Sequence, residues 1–109
     1  MNDMQKRAQA FEALFAHKQE HAFIINANAC SIFGDWLAHE KLHLSEAEAA
    51  ELTRQLLVEN LKHGNTALIL DLATHSLEEH DIEVNPIELK KQFLHAQKQA
   101  QDEFTKSLN

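Results

Sequence analysis

Helix breakers are scarce in this chain, with two glycines and one proline among 109 residues of which 44% are hydrophobic. That length and apolar content support one small core and not two. Cysteine occurs once, at Cys30, which excludes an internal disulfide, and the first residues show no charged stretch followed by a continuous apolar run and a small-residue cleavage site. A cytoplasmic protein is expected. Long apolar runs are missing as well: the longest, such as Ala67 to Leu70, reach four residues, far below the ~20 that span a bilayer, so direct membrane insertion is excluded. Positive charge is in deficit, with 10 Lys+Arg against 17 Asp+Glu and a formal charge of −7. This is the wrong sign for neutralising a phosphate backbone, and nucleic acid is excluded as a partner. There is no glycine-rich phosphate loop, no Ser or Cys nucleophile within a motif and no convergent carboxylate set. The chain is not expected to be an enzyme, and no catalytic residue is assigned.

What is present begins with Ala10-Phe11-Glu12-Ala13-Leu14-Phe15-Ala16-His17, an apolar helix-forming segment ahead of any residues that could cover it. Apolar positions at Ala8, Phe11, Phe15, Ala22, Ile25, Ala29, Ile32 and Trp36 keep the spacing of one long amphipathic helix, interrupted only by Lys18. From Ala8 to Trp36 such a helix measures ~43 Å, whereas a second helix of about 17 residues covers ~25 Å. The excess cannot all be buried in a monomer. The expectation is therefore a segment over residues 1–20 that seeks a partner and a bundle over residues 21–109, within a single domain overall. Two structural accounts compete with that reading. Phe11 and Phe15 could extend the core stripe, as aromatics at helical spacing usually do, or the overhang could mediate dimerisation. Gly34, inside the helix, predicts either close approach of a neighbouring helix or a plain defect.

Ser45 and Glu48 have the spacing of a capping box, which starts a second helix carrying Ala49, Leu52, Leu56, Leu57 and Leu61 inward. Gly64-Asn65 should end it with residues that accept positive φ. A third helix is expected from about Thr66 to Glu79 with Leu68, Ile69, Leu72, Ala73 and Leu77 on its apolar side. Asn85-Pro86 predicts the start of a fourth, lined by Leu89, Phe93, Ala96, Ala100 and Phe104 and fraying in a polar tail. Val84 fits the hydrophobic staple before that cap better than a strand through Ile82-Glu83-Val84, and no other stretch alternates with period two. The fold class is all-α, a four-helix bundle with a long first helix whose N-terminal part projects from the bundle or is mobile. Its core anchors are Ile25, Ile32, Trp36, Leu52, Leu56, Leu72 and Phe93, with Trp36 as the central aromatic and Cys30 as a small buried filler.

Eight histidines raise the question of a metal. His17/His21 and His39/His43 each sit four apart, but no third histidine at fixed spacing and no cysteine pair completes a site, so no metal ligand is assigned. Their collective protonation would carry the formal charge from −7 to +1, which makes a pH response the better expectation. The acidic cluster Glu78, Glu79, Asp81 and Glu83 is a solvated face.

The order of these motifs resembles a known family. Ala10-Phe11-Glu12-Ala13-x-Phe15-Ala16-His17, then Phe23, then Gly34-x-Trp36-x-Ala38-x-Glu40-Lys41 and a Ser45-capped helix are similar to the zeta subunit of alphaproteobacterial F-type ATP synthase. The resemblance covers nearly the whole chain and is densest over residues 10–41. It implies a four-helix bundle and a regulatory subunit that binds the catalytic head of the enzyme, contacting its alpha, beta and gamma subunits and blocking ATP hydrolysis through the N-terminal segment. Carried onto this sequence, the partner-binding residues are Lys6, Arg7, Phe11, Glu12, Leu14, Phe15 and Lys18. The implied location is cytoplasmic, peripheral to the inner membrane through ATP synthase, and the implied free state is a monomer. This chain departs from the family pattern at Leu14, where a lysine is usual, and at Lys18-Gln19-Glu20, where an acidic run is usual. Those changes predict weakened inhibition. It also has Asn28-Ala29-Cys30-Ser31 in place of a basic stretch, which argues against the weak adenine-nucleotide binding that the family implies. No cofactor is therefore assigned. The alternative is a non-inhibitory helical adaptor or dimerisation module of the same fold.

Overall fold

Capping chemistry sets the helix boundaries. The computed structural model describes the backbone of residues 3–108 and the side chains of residues 20–108. Over these the chain is all-α: α1 (Asp3–Trp36), a π-helical turn (Leu37–Leu42), α2 (Glu46–His63), α3 (Thr66–Glu79) and α4 (Pro86–Ser107), with no strand among the described residues. Ser45 starts α2, its hydroxyl accepting from the Glu48 N–H at 3.2 Å and donating to the Glu48 carboxylate at 2.9 Å. Asn85 starts α4 ahead of Pro86, its side-chain oxygen accepting from the N–H groups of Ile87 and Glu88 at 3.1 and 3.2 Å. Both satisfy donors that the first helical turn leaves without partners.

Gly64 ends α2 in the left-handed conformation at φ 58°. Asn65 does not share it: at φ −115° it is the N-cap of α3, with its side chain accepting from the Ala67 N–H at 2.8 Å. A single left-handed residue suffices to turn the chain, which frees Asn65 to cap. The far end of α4 also differs from expectation, because the polar tail stays helical to Ser107.

α1 lies against α4 and α2, while α3 closes on α2 and α4. The core between them is made of Ala29, Cys30, Phe33 and Leu37 from the first helix and its continuation, Leu52 and Leu56 from α2, Ile69, Ala73 and Leu77 from α3, and Leu89, Phe93, Ala96 and Ala100 from α4. Each large side chain in this set contributes ~1.5–3 kcal/mol by leaving water. Phe33 is its central aromatic, fully buried, with its ring edge-on to Phe93 at 5.3 Å between centroids. Trp36 is only half-buried and stacks on the flank of Phe33 at 5.9 Å. The expected stripe through Ile25, Ile32 and Trp36 thus lies to one side of the buried arc. Because α1 is covered by two helices at once, the arc centres on Phe33. Ile25, Ile32 and Leu72 line the core half-buried, Ala22 is exposed, and Leu61, expected inward, is 64% exposed, beyond Leu57, the last side chain of α2 packed against the core.

Gly34 marks a close approach. A Cβ there would lie 2.7 Å from Thr53 Oγ1, 3.2 Å from Leu56 Cδ1 and 3.4 Å from the Thr53 Cα. The glycine is the notch into which α2 fits.

Beyond Trp36 the helix widens into the π-helical turn, which buries Leu37, Ala38 and Leu42. The spacing of those three, one and then four residues apart, suits a turn wider than an α-helix. His43 closes it in the left-handed region at φ 52°, and the N–H groups of His43 and Leu44 both donate to the Ala38 carbonyl.

Candidate functional site

The segment expected to bind a partner is the N-terminal part of α1. Lys6, Arg7, Phe11, Glu12, Leu14, Phe15 and Lys18 fall within Asp3–Trp36, but their side chains lie outside the described residues, as does His17. What the structure does describe is the root of that segment. Moving up α1 toward it, the last fully buried side chain among the described residues is Ala29, Ile25 is half-buried, and Phe23 and Ile24 are 50% and 43% exposed. The grip of the bundle on α1 therefore weakens over residues 22–28. At this point His21, Ala22, Ile25 and Asn26 of α1 and Gln101, Phe104 and Thr105 of α4 line an open groove of about 440 Å³. The His21 ring rests on Phe104 at 4.7 Å, and this contact and the flank of Ile25 bring the root against the end of α4.

The Gly34-x-Trp36-x-Ala38-x-Glu40-Lys41 motif forms a structural lock. Gly34 admits α2, and Ala38 is fully buried in the π-helical turn. The Lys41 ammonium sits 5.7 Å from the Trp36 ring centre, within cation–π range, and pairs with the Glu88 carboxylate in the first turn of α4. Glu40 faces solvent. This arrangement ties the end of the first helix to the start of the last. Lys41 and Glu88 had no assigned role in the sequence reading, because nothing local pairs residues 47 positions apart.

Cys30 is fully buried, and burial pushes its thiol up to about 11, so it is a packing group and not a nucleophile. His43 has left the helix for a left-handed cap, which separates it from the helical face that carries His39. Among the described residues no three His, Cys, Asp or Glu side chains converge as a metal site, and no helix is long and apolar enough to cross a membrane. A second groove, of about 240 Å³, lies between the π-helical turn, α2 and α3 and is rimmed by Glu48, Glu51 and Glu79. Two hydrogen bonds from the Arg54 guanidinium hold the Glu51 carboxyl below its ordinary range, and Glu48 is engaged by the Ser45 hydroxyl.

A small helical bundle in which Gly34, Trp36, Ala38 and Lys41 are spent on packing and on tying helix to helix is the class of protein that the described residues define. The family model for ATPase inhibitor subunit zeta matches residues 1–103, and the chain belongs to that family. The family is one of inhibitor subunits, a regulatory role, and it associates this chain with an ATPase. No curated protein and no solved structure matches the chain.

Proposed function

We propose that this protein is a regulatory subunit that docks on the catalytic head of F-type ATP synthase and restrains ATP hydrolysis through residues 1–20, with residues 21–109 as the platform. The observation that carries this reading is the continuity of α1. The helix whose lower half packs between α2 and α4 runs on, as one element, into the Phe11–Phe15 segment. A cleft between subunits that closes on a helix is filled best by aromatic anchors with a polar rim. Phe11, Leu14 and Phe15 supply the anchors, and Lys6, Arg7, Glu12 and Lys18 the rim. The platform gives the helix a formed root, so less ordering entropy opposes binding. Leu14 and Lys18 replace charges usual in the family, and the proposal includes a weaker block than a fully charged segment would give.

Titrating the full chain into its cognate ATPase tests the reading, with hydrolysis and synthesis measured separately. Loss of hydrolysis with synthesis preserved is the expected result. A stable dimer that leaves both rates untouched would instead establish the adaptor alternative. Among the described residues the buried core begins at Ala29, and on this reading residues 1–18 add nothing to it. A protein lacking residues 1–18 should unfold at nearly the temperature of the full chain and lose its association with the ATPase. A large drop in thermal stability would place Phe11 and Phe15 in a core instead.

A further inference from the structure

The outward face of α4 carries a charge pattern opposite to that of the rest of the protein. At 100° per residue, Ile87, Lys90, Lys91, Leu94, His95 and Lys98 fall within an arc of roughly 140° on the side opposite Leu89, Phe93, Ala96 and Ala100. All six are exposed, Ile87 by 69% and Leu94 by 52%. Three of the ten basic residues of a chain with charge −7 are thus concentrated over nine positions that contain no carboxylate. Glu88, near the start of this helix, is occupied by Lys41, and Asp102, one turn beyond Lys98 on the same side, lines a groove with His95 and Lys98 and bounds the patch at its C-terminal end. None of the three lysines has an ion-pair partner among the described residues.

Taking the proposed function as its basis, we infer that this face is a second docking surface, which holds the bundle against an acidic protein surface on the same catalytic head. Uncompensated lysines around two exposed aliphatic side chains suit carboxylates flanking a small apolar spot. Such a surface steers encounter and fixes orientation. A lipid surface fits less well, because two aliphatic side chains without an aromatic make a poor interfacial anchor. The segment in residues 1–20 and the face of α4 would then bind as two linked sites, each raising the effective concentration of the other.

The test uses the full chain, the triple variant Lys90→Glu/Lys91→Glu/Lys98→Glu, and Leu94→Ser, each bound to the purified cognate catalytic head at low and at raised salt. Circular dichroism first establishes that the variants are folded, as expected for exposed positions. The triple variant should bind about tenfold more weakly at low salt, the wild type should approach it as salt rises, and Leu94→Ser should weaken binding several-fold at both salts. Wild-type binding matched by the triple variant overturns this surface while leaving the N-terminal segment as the inhibitor. Failure of the wild type to bind overturns the function itself. Lysine-dependent flotation with vesicles of phosphatidylglycerol and phosphatidylcholine would reassign the face to lipid, and a dimer that the triple variant dissolves would reassign it to a second copy of the chain.

Discussion

Replacing Gly34 by alanine sets two known effects against each other at one position. An alanine in a helix interior is favoured over glycine by ~1 kcal/mol through backbone entropy. Against this, the new methyl would meet Thr53 Oγ1 at 2.7 Å and Leu56 Cδ1 at 3.2 Å. The leucine tip can yield, but the threonine is β-branched, with few rotamers open to it, and its Cα lies only 3.4 Å away. Relieving that contact means shifting α2 by some tenths of an ångström, and overpacking of this kind costs ~1–3 kcal/mol. The net expectation is a loss of about 1 kcal/mol, or roughly 4–8 °C in melting temperature for a domain of this size. Thr53 provides the control. Its hydroxyl is buried with no hydrogen-bond partner among the described residues, so Thr53→Ala removes both the clashing atom and an unsatisfied group. In the double variant the alanine at 34 fits, and stability returns to the wild-type level or above it. Thermal and urea unfolding of the four proteins in the cycle should give a coupling of about 1–2 kcal/mol. If Gly34→Ala alone raises the melting temperature, or the coupling is near zero, close helix approach is not why glycine stands there.

Three further expectations follow from the geometry. Asn85→Ala removes both acceptor bonds at the start of α4 and should lower unfolding free energy by ~1 kcal/mol in urea titrations. Phe33→Ala, which opens a cavity against Phe93, should cost ~3–5 kcal/mol, and Trp36→Ala clearly less, because the indole is half in water; the reverse order would restore Trp36 as the centre. For Cys30 the folded thiol, pushed up to about 11, holds its proton past the ordinary value of 9.0. Stability is therefore complete below about pH 9 and declines toward pH 11 as the unfolded state alone ionises, by on the order of 2 kcal/mol. Cys30→Ala should lose that slope, and an equal slope in the variant would refute it.

Much of the fold is legible because its punctuation is local. Ser45 with Glu48, Gly64, and Asn85 with Pro86 each act within four residues, and each boundary falls where the chemistry puts it. The rotational setting of α1 is not local. Two apolar tracks run along that helix, Ile25-Ala29-Ile32-Trp36 and Ala29-Phe33-Leu37, and only the positions of α2 and α4 decide that the second is central. The continuation Ala29, Phe33, Leu37 at intervals of four was the available signal, and the size of the tryptophan obscured it. The π-helical turn escaped for a related reason, since Leu37, Ala38 and Leu42 resemble an irregular helix end until Leu44 is seen to share the Ala38 carbonyl. The partner-seeking segment is legible from the overhang of the apolar stripe on the first helix, whereas its individual contact residues come from the family pattern. The lysines of α4 went unremarked because a charged stripe on a helix is ordinarily just its wet side.

An unbroken helix from Asp3 to Trp36 transmits rotation as well as distance. With no loop between root and tip, a partner that held Phe11 and Phe15 as proposed would, by the azimuth of its grip, dictate the side toward which the bundle faces, much as the thread of a screw sets the angle of its head. One residue inserted near Phe23 would advance the bundle by only ~1.5 Å yet swing it by ~100°. The spacing between the aromatic pair and the Gly34 notch is thus a phase relationship, and helix-preserving insertions that leave both ends intact would still misdirect the protein.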